Sequence, residues 1–425
     1  MPLLLGCIAD DLTGATDLAL MLNQAGMPTM LHLGVPPADS LIDWDQYPAC
    51  VIALKSRTEP AADAVRASIE AANFLRGASA RQIYFKYCST FDSTPEGNIG
   101  PVADALLNLC EAQATIVAPS FPATGRTVRD GMLYVNGVLL EESPMRNHPL
   151  TPMTESSLLR LMDAQTAYGA SALVPLKTVR AGGSRLRSEL EQLEEQGCRY
   201  LVTDAETDED LACIAGAVTD MPVITGASGI GATLPAQLAA RDLLKPKTAD
   251  PAMPATAGGA VVLAGSCSTA TRAQVARFSR MAASFRIDPL SKEAPSDDID
   301  SLTERVSRAA REGDVLIYSS AEPEELAEIQ SSLGAENAGQ RVEEILSGVA
   351  RALYDRGKRR FIVAGGETSG AVGAALGLKE LTIGPQIDPG VPWMVSKGDE
   401  SLCIAFKSGN FGSDDFFSRA LEMLP

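Results

Sequence analysis

Short apolar runs alternate along the chain with longer segments in which apolar residues recur every three or four positions. The first run, Leu3–Ala9, has the length of a buried strand. The next segment, Thr13–Ala25, has helical spacing that ends before Gly26, with Thr13 as a candidate N-cap. Repeated strand–helix pairs of this kind are typical of mostly parallel sheets with helices on both faces. We therefore predict an α/β fold.

The same pattern predicts the remaining elements of the first 244 residues. A hairpin over 131–140 interrupts the alternation, because Asn136-Gly137 separates two apolar runs and favours a tight β-turn. Strands are expected over 29–33, 50–54, 83–86, 115–118, 172–174, 200–203 and 223–225, with helices over 60–75, 101–111, 156–164, 184–195 and 208–217.

A second strand–helix series begins at residue 260, after a segment rich in Pro, Ala and Thr, Lys245–Gly259. A length of 425 residues suits two domains. We predict an N-terminal domain over 1–244, a linker over 245–259 and a C-terminal domain over 260–425. The second series has strands over 260–264, 285–287, 315–318 and 361–364, helices over 271–283, 298–311, 341–356 and 371–376, and apolar segments near 381–383, 393–395 and 402–406.

The charge balance and the cysteines narrow the classes of function. A formal net charge of −18 argues against nucleic acid or an anionic membrane as the main partner. The eight cysteines form no C-x-x-C pair, and two histidines are too few for a His-rich site, so no metal ligands are predicted. Neither a signal peptide nor a transmembrane run is visible. Free thiols fit a reducing compartment, and we expect a cytoplasmic protein.

Two adjacent carboxylates, Asp10 and Asp11, follow the first predicted strand, at the edge where open α/β sheets bind ligands. In one interpretation Asp11 or Thr13 caps the helix and Asp10 lies in solvent. In the other, one carboxylate meets a substrate hydroxyl or a Mg²⁺ ion. Asp17 lies one turn beyond Thr13 and can share its helix face.

A polar loop follows the strand predicted over 83–86. It carries Lys86, Ser89, Asp92 and Asn98, together with further hydroxyl residues. A cation for a carboxylate and donors and acceptors for hydroxyls are what a small polyhydroxy acid requires. An ordinary polar surface loop is the alternative.

Two arginines, Arg126 and Arg129, follow the strand predicted over 115–118. Arginines beside glycine and hydroxyl residues in so acidic a chain can hold a carboxylate, although surface arginines would give the same pattern. Farther on, Thr225–Gly231 is similar to a dinucleotide-binding loop but is one residue short and follows a mid-chain strand. We interpret it as a turn on the substrate side.

Three glycine-containing loops follow strands in the second half of the chain. They contain Ser266, the run Gly365-Gly366-Glu367-Thr368, and Gly409 after Lys407. Backbone N–H groups at such strand-to-helix turns bind phosphate, and Lys407 can neutralise it, although common α/β turns look alike. Glu367 suits a Mg²⁺ ion or a ribose hydroxyl better than a phosphate. No Walker A or protein-kinase glycine loop is present.

These segments together resemble the four-carbon acid sugar kinases. The matching stretches are ADDLTGATD, KYCSTFDSTPEGNIGPV, PSFPATGRTV, LAGSCS, GGETSG and KSGNFG, which extend over nearly the whole chain. The resemblance is closest to the 3-oxo-tetronate kinase subgroup, because D-threonate and D-erythronate kinases carry D-S-T-L-R-G where this chain has Asp92–Gly97, D-S-T-P-E-G.

The resemblance implies an N-terminal sugar-acid domain, a C-terminal ATP domain and an active site in the cleft between them, with ATP and Mg²⁺ as cofactors. It implies phosphorylation of the 4-hydroxyl, with Asp11 or Asp10 as the group that accepts or orients the hydroxyl proton. By resemblance the substrate side holds Lys86, Ser89, Asp92 and Arg126, and the ATP side holds Ser266, Gly365, Gly366, Glu367, Thr368 and Gly409.

Other functions stay open from the sequence. A D-threonate or D-erythronate 4-kinase is the nearest alternative, followed by a NAD-dependent sugar-acid oxidoreductase, for which Thr225–Gly231 is the sole support, and by a non-catalytic sugar-acid sensor. The expected partner is a small sugar acid. A homodimer is compatible with the sequence, which does not fix the oligomeric state.

Overall fold

The computed structural model describes residues 3–37, 40, 42–148, 151–169, 171–247, 253–256, 258–311, 313–396 and 401–425. The chain divides into two compact units, Met1–Ala249 (unit 1) and Asp250–Pro425 (unit 2). Residues 248–252 and 257 of the predicted linker lie outside the described residues. Both units are α/β, with parallel strands and intervening helices as predicted.

Unit 1 is built on a parallel sheet whose strands are short and, apart from one edge strand, mostly buried. Along the sheet the order is β2-β3-β1-β4-β11-β5-β10-β9. The strands of unit 1 are β1 Leu5–Ala9, β2 Thr29–Leu33, β3 Ala49–Ala53, β4 Gln82–Lys86, β5 Thr115–Ala118, β6 Arg126–Arg129, β7 Met132–Val135, β8 Val138–Leu139, β9 Ser171–Val174, β10 Tyr200–Thr203 and β11 Val223–Gly226. Its helices are α1 Leu12–Gln24, α2 Ala61–Gly77, α3 Ile99–Leu109, α4 Leu158–Gln165, α5 Leu176–Val179, α6 Gly183–Glu195, α7 Asp208–Ala217, α8 Ser228–Gly231 and α9 Leu234–Ala239.

Unit 2 combines parallel and antiparallel strands. Its strands lie in the order β13-β14-β12-β15-β18-β17-β16. Neighbouring strands are parallel from β13 to β18, and the pairs β18–β17 and β17–β16 are antiparallel. The strands are β12 Val261–Ala264, β13 Ala283–Arg286, β14 Val315–Tyr318, β15 Arg360–Ala364, β16 Glu380–Asp388, β17 Val391–Ser396 and β18 Leu402–Lys407. The helices are α10 Thr269–Phe278, α11 Pro295–Ala309, α12 Pro323–Leu333, α13 Ala335–Asp355, α14 Gly366–Ala375 and α15 Phe416–Glu422.

In unit 1, β1 and β4 are neighbours whose following helices lie on opposite faces of the sheet. Helix α1 follows β1 and packs against α8, where Gly231 lies close to Leu18 and Tyr84. Helix α3 follows β4 and packs against α2 over the face that carries Ile8 and Phe85. Since the two loops diverge, they leave a crevice at the carboxyl edge, which is the usual ligand position in an open α/β sheet.

Unit 2 has the same arrangement at β12 and β15. Helix α10 follows β12, and its Phe278 packs against Phe417 of α15 in a core that includes Ala264 and Ala364. Helix α14 follows β15 and packs instead with α13, which contacts α11. The loops after β12 and β15 therefore diverge as well, and the first contains Ser266.

The ends of two helices in unit 1 differ from the prediction. Of the two predicted caps of α1, Asp11 is confirmed, since its side chain accepts a hydrogen bond from the Gly14 N–H at 3.1 Å, and the helix begins at Leu12, one residue before the predicted Thr13. Helix α3 begins at Ile99, so Pro101 is its third residue rather than its first. Proline is tolerated there because the first-turn N–H groups of a helix have no internal acceptor.

The hairpin is larger than predicted. Its Asn136-Gly137 turn is present with φ values of 52° and 81°, and β7 and β8 flank it as expected. A second two-residue turn, Asp130-Gly131, with φ values of 51° and 71°, adds β6 to form a three-stranded antiparallel sheet. Asp204, at the end of β10, accepts hydrogen bonds from both N–H groups of that turn.

Three features of unit 2 were not predicted. Helix α12 was missed, and α10 ends at Phe278, before the end of the helix predicted over 271–283; the strand predicted over 285–287 is present as β13 but begins at Ala283. Strands β16 and β17 pair antiparallel, because a two-residue turn at Pro389-Gly390 reverses the chain, with Gly390 at φ 77°. A strand pair of this kind gives no helical segment, so the strand–helix rhythm ends there.

Candidate active site

Arg57, in the loop after β3, joins three carboxylates at the carboxyl edge of unit 1. Its guanidinium donates two hydrogen bonds to Asp10, Nε to Oδ2 at 2.9 Å and Nη2 to Oδ1 at 2.7 Å. Nη2 also contacts Asp11 Oδ1 at 2.5 Å, and Nη1 lies 4.0 Å from Asp92 Oδ2. Asp10, Asp11 and Asp92 belong to two separate predicted loops, which the structure brings together.

The backbone holds the Arg57 loop against Asp10. The carbonyl of Asp10 accepts hydrogen bonds from the N–H groups of Ser56 and Arg57 at 2.9 and 3.1 Å. From the other side, the Asn98 amide donates to the carbonyls of Ser56, Arg57 and Glu59. Asn98, which we predicted to face a substrate, therefore uses its donors to fix the loop.

The charges of this cluster are strongly coupled. Burial raises the pKa of Asp11, but Arg57, Lys86, and hydrogen bonds from Thr13 and Gly14 lower it to a net value below the ordinary one. Burial would lower the pKa of the Arg57 guanidinium, yet Asp10 and Asp11 raise it well above its usual value. Asp11 is therefore a carboxylate and Arg57 a cation at neutral pH.

Lys86 ends β4 next to this cluster and is 3% exposed. Its Nζ donates to the carbonyl of Tyr87 at 2.9 Å. The ammonium lies against the first turn of α1, since a Cβ at Gly14 would be 2.7 Å from it and closer still to Asp11 Oδ1. A side chain at position 14 would therefore displace Lys86 or Asp11.

The loop after β4 is held in an unusual conformation. Phe91 has a φ of 57°, which is rare for an aromatic residue, and its buried ring packs edge-on against Tyr87. Next to it, Asp92 accepts a hydrogen bond from Thr90 Oγ1 at 2.6 Å. Ser89 is half-buried on the same loop. Left-handed backbone at a bulky residue tends to occur at functional sites.

The two arginines after β5 have different surroundings. Arg126 is half-buried, donates to the carbonyl of Thr124, and leaves its buried Nε without a partner in the described ranges. Arg129 is 54% exposed, lies 3.6 Å from Glu206 and stacks over Tyr134. Residues three apart on a strand point to opposite faces, so only Arg126 retains the properties of a ligand-binding arginine.

The glycines of Thr225–Gly231 serve close packing. Strand β11 lies between β4 and β5, and a Cβ at Gly226 would be 2.5 Å from the carbonyl oxygen of Ala118. Gly229 approaches the carbonyl of Ser120 even more closely. Helix α8 has only four residues. These contacts explain the glycines without a dinucleotide.

Gly226→Ala is expected to lower the free energy of unfolding by about 1–3 kcal/mol, because the added methyl group forces β11 away from β5. Gly183→Ala is the matched control, since no neighbouring atom lies within 4 Å of a Cβ at this first residue of α6. Urea unfolding of the full chain measures both variants. Equal stability of the two variants would contradict the packing explanation.

Three glycines of unit 2 bring the loops after β12, β15 and β18 into close contact. A Cβ at Gly265 would overlap Thr368 Oγ1, and one at Gly409 would overlap Ser266 Oγ. Gly365 has a φ of 128°, and a Cβ there would be 2.9 Å from Thr368 Oγ1. The structure therefore brings together the predicted residues Ser266, Gly365, Gly366, Glu367, Thr368 and Gly409 at the carboxyl ends of three adjacent strands.

Lys407, the last residue of β18, holds the loop that follows it against α10. It is fully buried, and its Nζ donates to Thr271 Oγ1, the Ser408 carbonyl and the Gly409 carbonyl at 2.9–3.0 Å. Burial lowers the pKa of Lys407 to about 7. All three donors of its ammonium are used within the protein, so the predicted contact with phosphate is not available to it in this conformation.

The two helices that start at this edge differ in their caps. Ser268 caps α10 by accepting a hydrogen bond from the Thr271 N–H at 3.3 Å. Helix α14 begins after Gly365, and no side chain at its cap position accepts a hydrogen bond from its first turn. Gly366 and Glu367 in that turn are exposed, while Thr368 is buried. The α14 N-terminus therefore has the properties of an anion-binding site.

Within the described ranges, His, Cys, Asp and Glu side chains form no group of three or more that could hold a metal ion. None of the described helices combines the length and apolar composition of a membrane span. A divalent cation at either crevice would therefore require oxygen atoms from a ligand in addition to protein carboxylates.

Sequence comparisons agree with this division into two sites. Residues 5–234 match the model of a sugar-binding N-terminal domain, and residues 261–417 match that of a nucleotide-binding C-terminal domain. The 3-oxo-tetronate kinases of Burkholderia multivorans and Pseudomonas fluorescens are each 48% identical to the chain, over 99% of its length and 97% of theirs. The chain belongs to the 3-oxo-tetronate kinase family. It is a kinase enzyme.

Solved structures resemble this kinase over its full length. A Salmonella typhimurium protein named as a tRNA synthase has 41% sequence identity and a TM-score of 0.87, with all of both chains covered. A Haemophilus influenzae protein has 40% identity and a TM-score of 0.78 over 99% of this chain and all of its own. These proteins share the α/β architecture of the kinase.

Several residues of the two crevices were missed in the sequence. Arg57 is the main one, together with Gly265, which lies against Thr368. The signal for Arg57 was its place after the buried strand β3, which neighbours β1. Since parallel strands end at one edge, a charged residue in the loop after any neighbour of β1 is a candidate for the same crevice.

Proposed function

We propose that this sugar-acid kinase transfers the γ-phosphate of ATP to the 4-hydroxyl of 3-oxo-tetronate, which gives 3-oxo-tetronate 4-phosphate and ADP. The observation that carries the proposal is the 48% identity to 3-oxo-tetronate kinases over 99% of the chain. In this proposal residues 1–244 hold the sugar acid, 260–425 hold the nucleotide and 245–259 connect them.

The loops of unit 1 supply what the sugar acid requires. Lys86 is a buried cation, and Arg126 is a half-buried one whose buried Nε has no hydrogen-bond partner within the described residues. Either can bind the carboxylate of the acid. Ser89 and Asp92 lie on the loop after β4 and can donate to or accept from the hydroxyl groups.

Asp11 is the group best placed to accept or orient the proton of the 4-hydroxyl. Asp10 is engaged by Arg57 through both carboxylate oxygens, and its side chain is 5% exposed against 22% for Asp11, which makes Asp10 a support for the arginine. The lowered pKa of Asp11 keeps it ionised, and its Oδ1 lies at the crevice beside Lys86. A fixed carboxylate aligns the hydroxyl for in-line attack, which is the principal task of a kinase base.

The loops of unit 2 fit a triphosphate. The uncapped N-terminus of α14 presents N–H groups, Ser266 presents a hydroxyl, and the glycines let a phosphate approach the backbone. ATP supplies the phosphoryl group, and Mg²⁺ neutralises charge on its phosphates. Glu367 is the carboxylate suited to hold that ion, since Mg²⁺ needs only one or two protein ligands beside phosphate oxygens and waters.

The proposal is tested by ADP release with a panel of four-carbon acids. We expect turnover with 3-oxo-tetronate and a kcat/KM at least tenfold lower with D-threonate and D-erythronate, and NMR of the product should place the phosphate on O4. Higher kcat/KM for D-threonate or D-erythronate would make the chain a kinase of those acids. No ADP release with any tetronate would overturn the substrate class.

Asp11→Asn is expected to lower kcat by about 100- to 10,000-fold with little change in KM, because it removes the proton acceptor while an amide still caps α1. Asp10→Asn is the matched variant and should act through Arg57, with a smaller loss of kcat and a loss of stability. Steady-state kinetics with 3-oxo-tetronate and ATP separate the two. An unchanged kcat in Asp11→Asn would remove the proposed role.

A further inference from the structure

The loop that follows β18 is held against α10 by its carbonyl groups. The Gly409 carbonyl accepts three hydrogen bonds. Their donors are Ser268 Oγ at 2.5 Å, Thr271 Oγ1 at 2.8 Å and Lys407 Nζ at 3.0 Å. The Ser408 carbonyl accepts from Lys407 Nζ at 2.9 Å. A carbonyl oxygen has two lone pairs, so three donors on one of them leave this peptide group little freedom to turn.

The donors on α10 form a row along one face of the helix. Ser268, which caps the helix, is followed by Thr271 and Gln274 at intervals of three residues, which places all three on the same side. Gln274 is 1% exposed, and its amide donates to the carbonyls of residues 411–413 at 3.0–3.1 Å. Helix α10 therefore contacts the carbonyl side of the loop along most of its length.

The direction of these carbonyls fixes the direction of the N–H groups that follow them. Among the described residues every peptide bond is trans, and the C=O and N–H of a trans peptide unit point in opposite directions. The Ser408 carbonyl points to fully buried Lys407, so the Gly409 N–H points away from the interior. The Gly409 carbonyl points to α10, so the Asn410 N–H points away from that helix. Neither N–H has a hydrogen-bond partner in the described part of the chain.

Lys407 holds the two carbonyls in either of its protonation states. Burial lowers the pKa of Lys407 to about 7, so the ammonium and the neutral amine are both present at neutral pH. The ammonium has three donors, which match the carbonyls of Ser408 and Gly409 and the Thr271 hydroxyl. The amine keeps two donors, one for each carbonyl, and the Thr271 hydroxyl donates to Gly409 in both cases. The orientation of the loop therefore does not depend on the charge of Lys407.

We propose that Lys407 and Thr271 are positioning residues for nucleotide binding. They turn the N–H groups of Gly409 and Asn410 outward, where these bind phosphate oxygens of ATP. This inference rests on the proposed function. Successive N–H groups that point outward form an anion site, and Gly409 lies against Ser266 of the same crevice. Neither positioning residue touches the nucleotide, because each acts through the loop.

Thr271→Val tests this inference, because valine keeps the shape of threonine and removes the hydroxyl that joins Lys407 to Gly409. We expect the Kd of a non-hydrolysable ATP analogue to rise about tenfold, and that of 3-oxo-tetronate to stay within about twofold. Thr271→Ser keeps the hydroxyl and should bind the analogue within about threefold of wild type. Calorimetric titration of the full chain measures both affinities.

Two further variants complete the test. Thr303→Val is the matched control, since Thr303 is a buried threonine of α11, which contacts α13 and β13, and it should change neither affinity. Lys407→Met removes every donor to the two carbonyls at once, so the Kd of the ATP analogue should rise about a hundredfold. Melting curves establish that each variant is folded. If Lys407→Met is unfolded, the two Thr271 variants decide the outcome.

The outcomes separate a positioning role from its alternatives. If Lys407 moved to contact phosphate itself, Thr271→Val would free one of its donors and leave ATP affinity unchanged or higher, which overturns the inference. Equal losses for the ATP analogue and 3-oxo-tetronate, or a loss that Thr271→Ser does not restore, indicate a general structural role and also overturn it. Wild-type protein that binds no ATP analogue fails the proposed function, and the inference fails with it.

Discussion

Arg57→Ala is expected to reduce kcat by about a hundred- to a thousandfold and to destabilise unit 1. The substitution leaves Asp10, whose side chain is 5% exposed, as a buried charge without its partner. Removing one partner of a buried ion pair costs about 3–5 kcal/mol. Asp11 would also lose a contact that fixes its position, and small displacements of reacting groups reduce rates strongly.

Two further variants distinguish positioning from charge. Arg57→Lys keeps a cation but cannot donate from a planar fork to both oxygens of Asp10, so we expect partial stability with kcat still reduced by tenfold or more. Arg180→Ala is the matched control, because Arg180 makes the same two-bond pair with buried Asp210 away from the crevice. It should lose stability and keep its kcat.

Steady-state kinetics and urea unfolding measure both quantities for each variant. A kcat for Arg57→Ala within tenfold of wild type would show that the arginine has only a structural role. An equal loss of kcat in Arg180→Ala would show that destabilisation by itself explains the effect. With 3-oxo-tetronate saturating, the comparison reports the reacting complex rather than substrate affinity.

Gly365→Ala is expected to weaken ATP binding by about 10- to 100-fold without changing the affinity for the sugar acid. The residue has a φ of 128°, which side chains rarely adopt, and its Cβ would press on Thr368 Oγ1. Relief of this contact moves the first turn of α14, where the N–H groups available to phosphate lie. One tenfold step in affinity corresponds to about 1.4 kcal/mol.

Gly370→Ala is the matched control in the same helix. Nothing lies within 4 Å of a Cβ at Gly370, and alanine favours a helix interior over glycine by about 1 kcal/mol. Calorimetric titration with a non-hydrolysable ATP analogue, and separately with 3-oxo-tetronate, measures both affinities. Unchanged ATP affinity in Gly365→Ala, or an equal loss in Gly370→Ala, would contradict a nucleotide site at the start of α14.

Much of the fold could be predicted from the chain because its signals are local. Strand β5 and helix α7 begin and end where the apolar periodicity places them, and Asn136-Gly137 forms the expected turn. Helix α12 was missed because its apolar face is narrow and Ile329 is its one fully buried residue. The Asp130-Gly131 turn carried a usable signal, but the strand before it begins with two residues, Arg126 and Thr127, that look like loop residues.

The sequence predicted those residues of the candidate site that stand out within a single loop, but not the contacts that depend on how the strands pair. Asp10, Asp11 and Lys86 stand out because each lies at or just after the end of a buried strand, and the order of strands then brings them together. Arg57 has no motif of its own, and its role depends on β3 pairing with β1, which is a long-range fact. Likewise, the sequence suggested Lys407 for phosphate, and only packing shows that its donors are used by Thr271 and two carbonyls.

The first helix of unit 1 starts at the same carboxylate that we propose as the base. Asp11 accepts from Gly14 N–H with one oxygen and from Thr13 Oγ1 with the other, so its length sets both where α1 begins and where the crevice wall stands. Glutamate at position 11 would keep a carboxyl group, but its additional methylene would move either the start of α1 or the position of the carboxylate in the crevice. A longer acidic side chain at position 11 therefore cannot both cap α1 and keep the proposed base where it is.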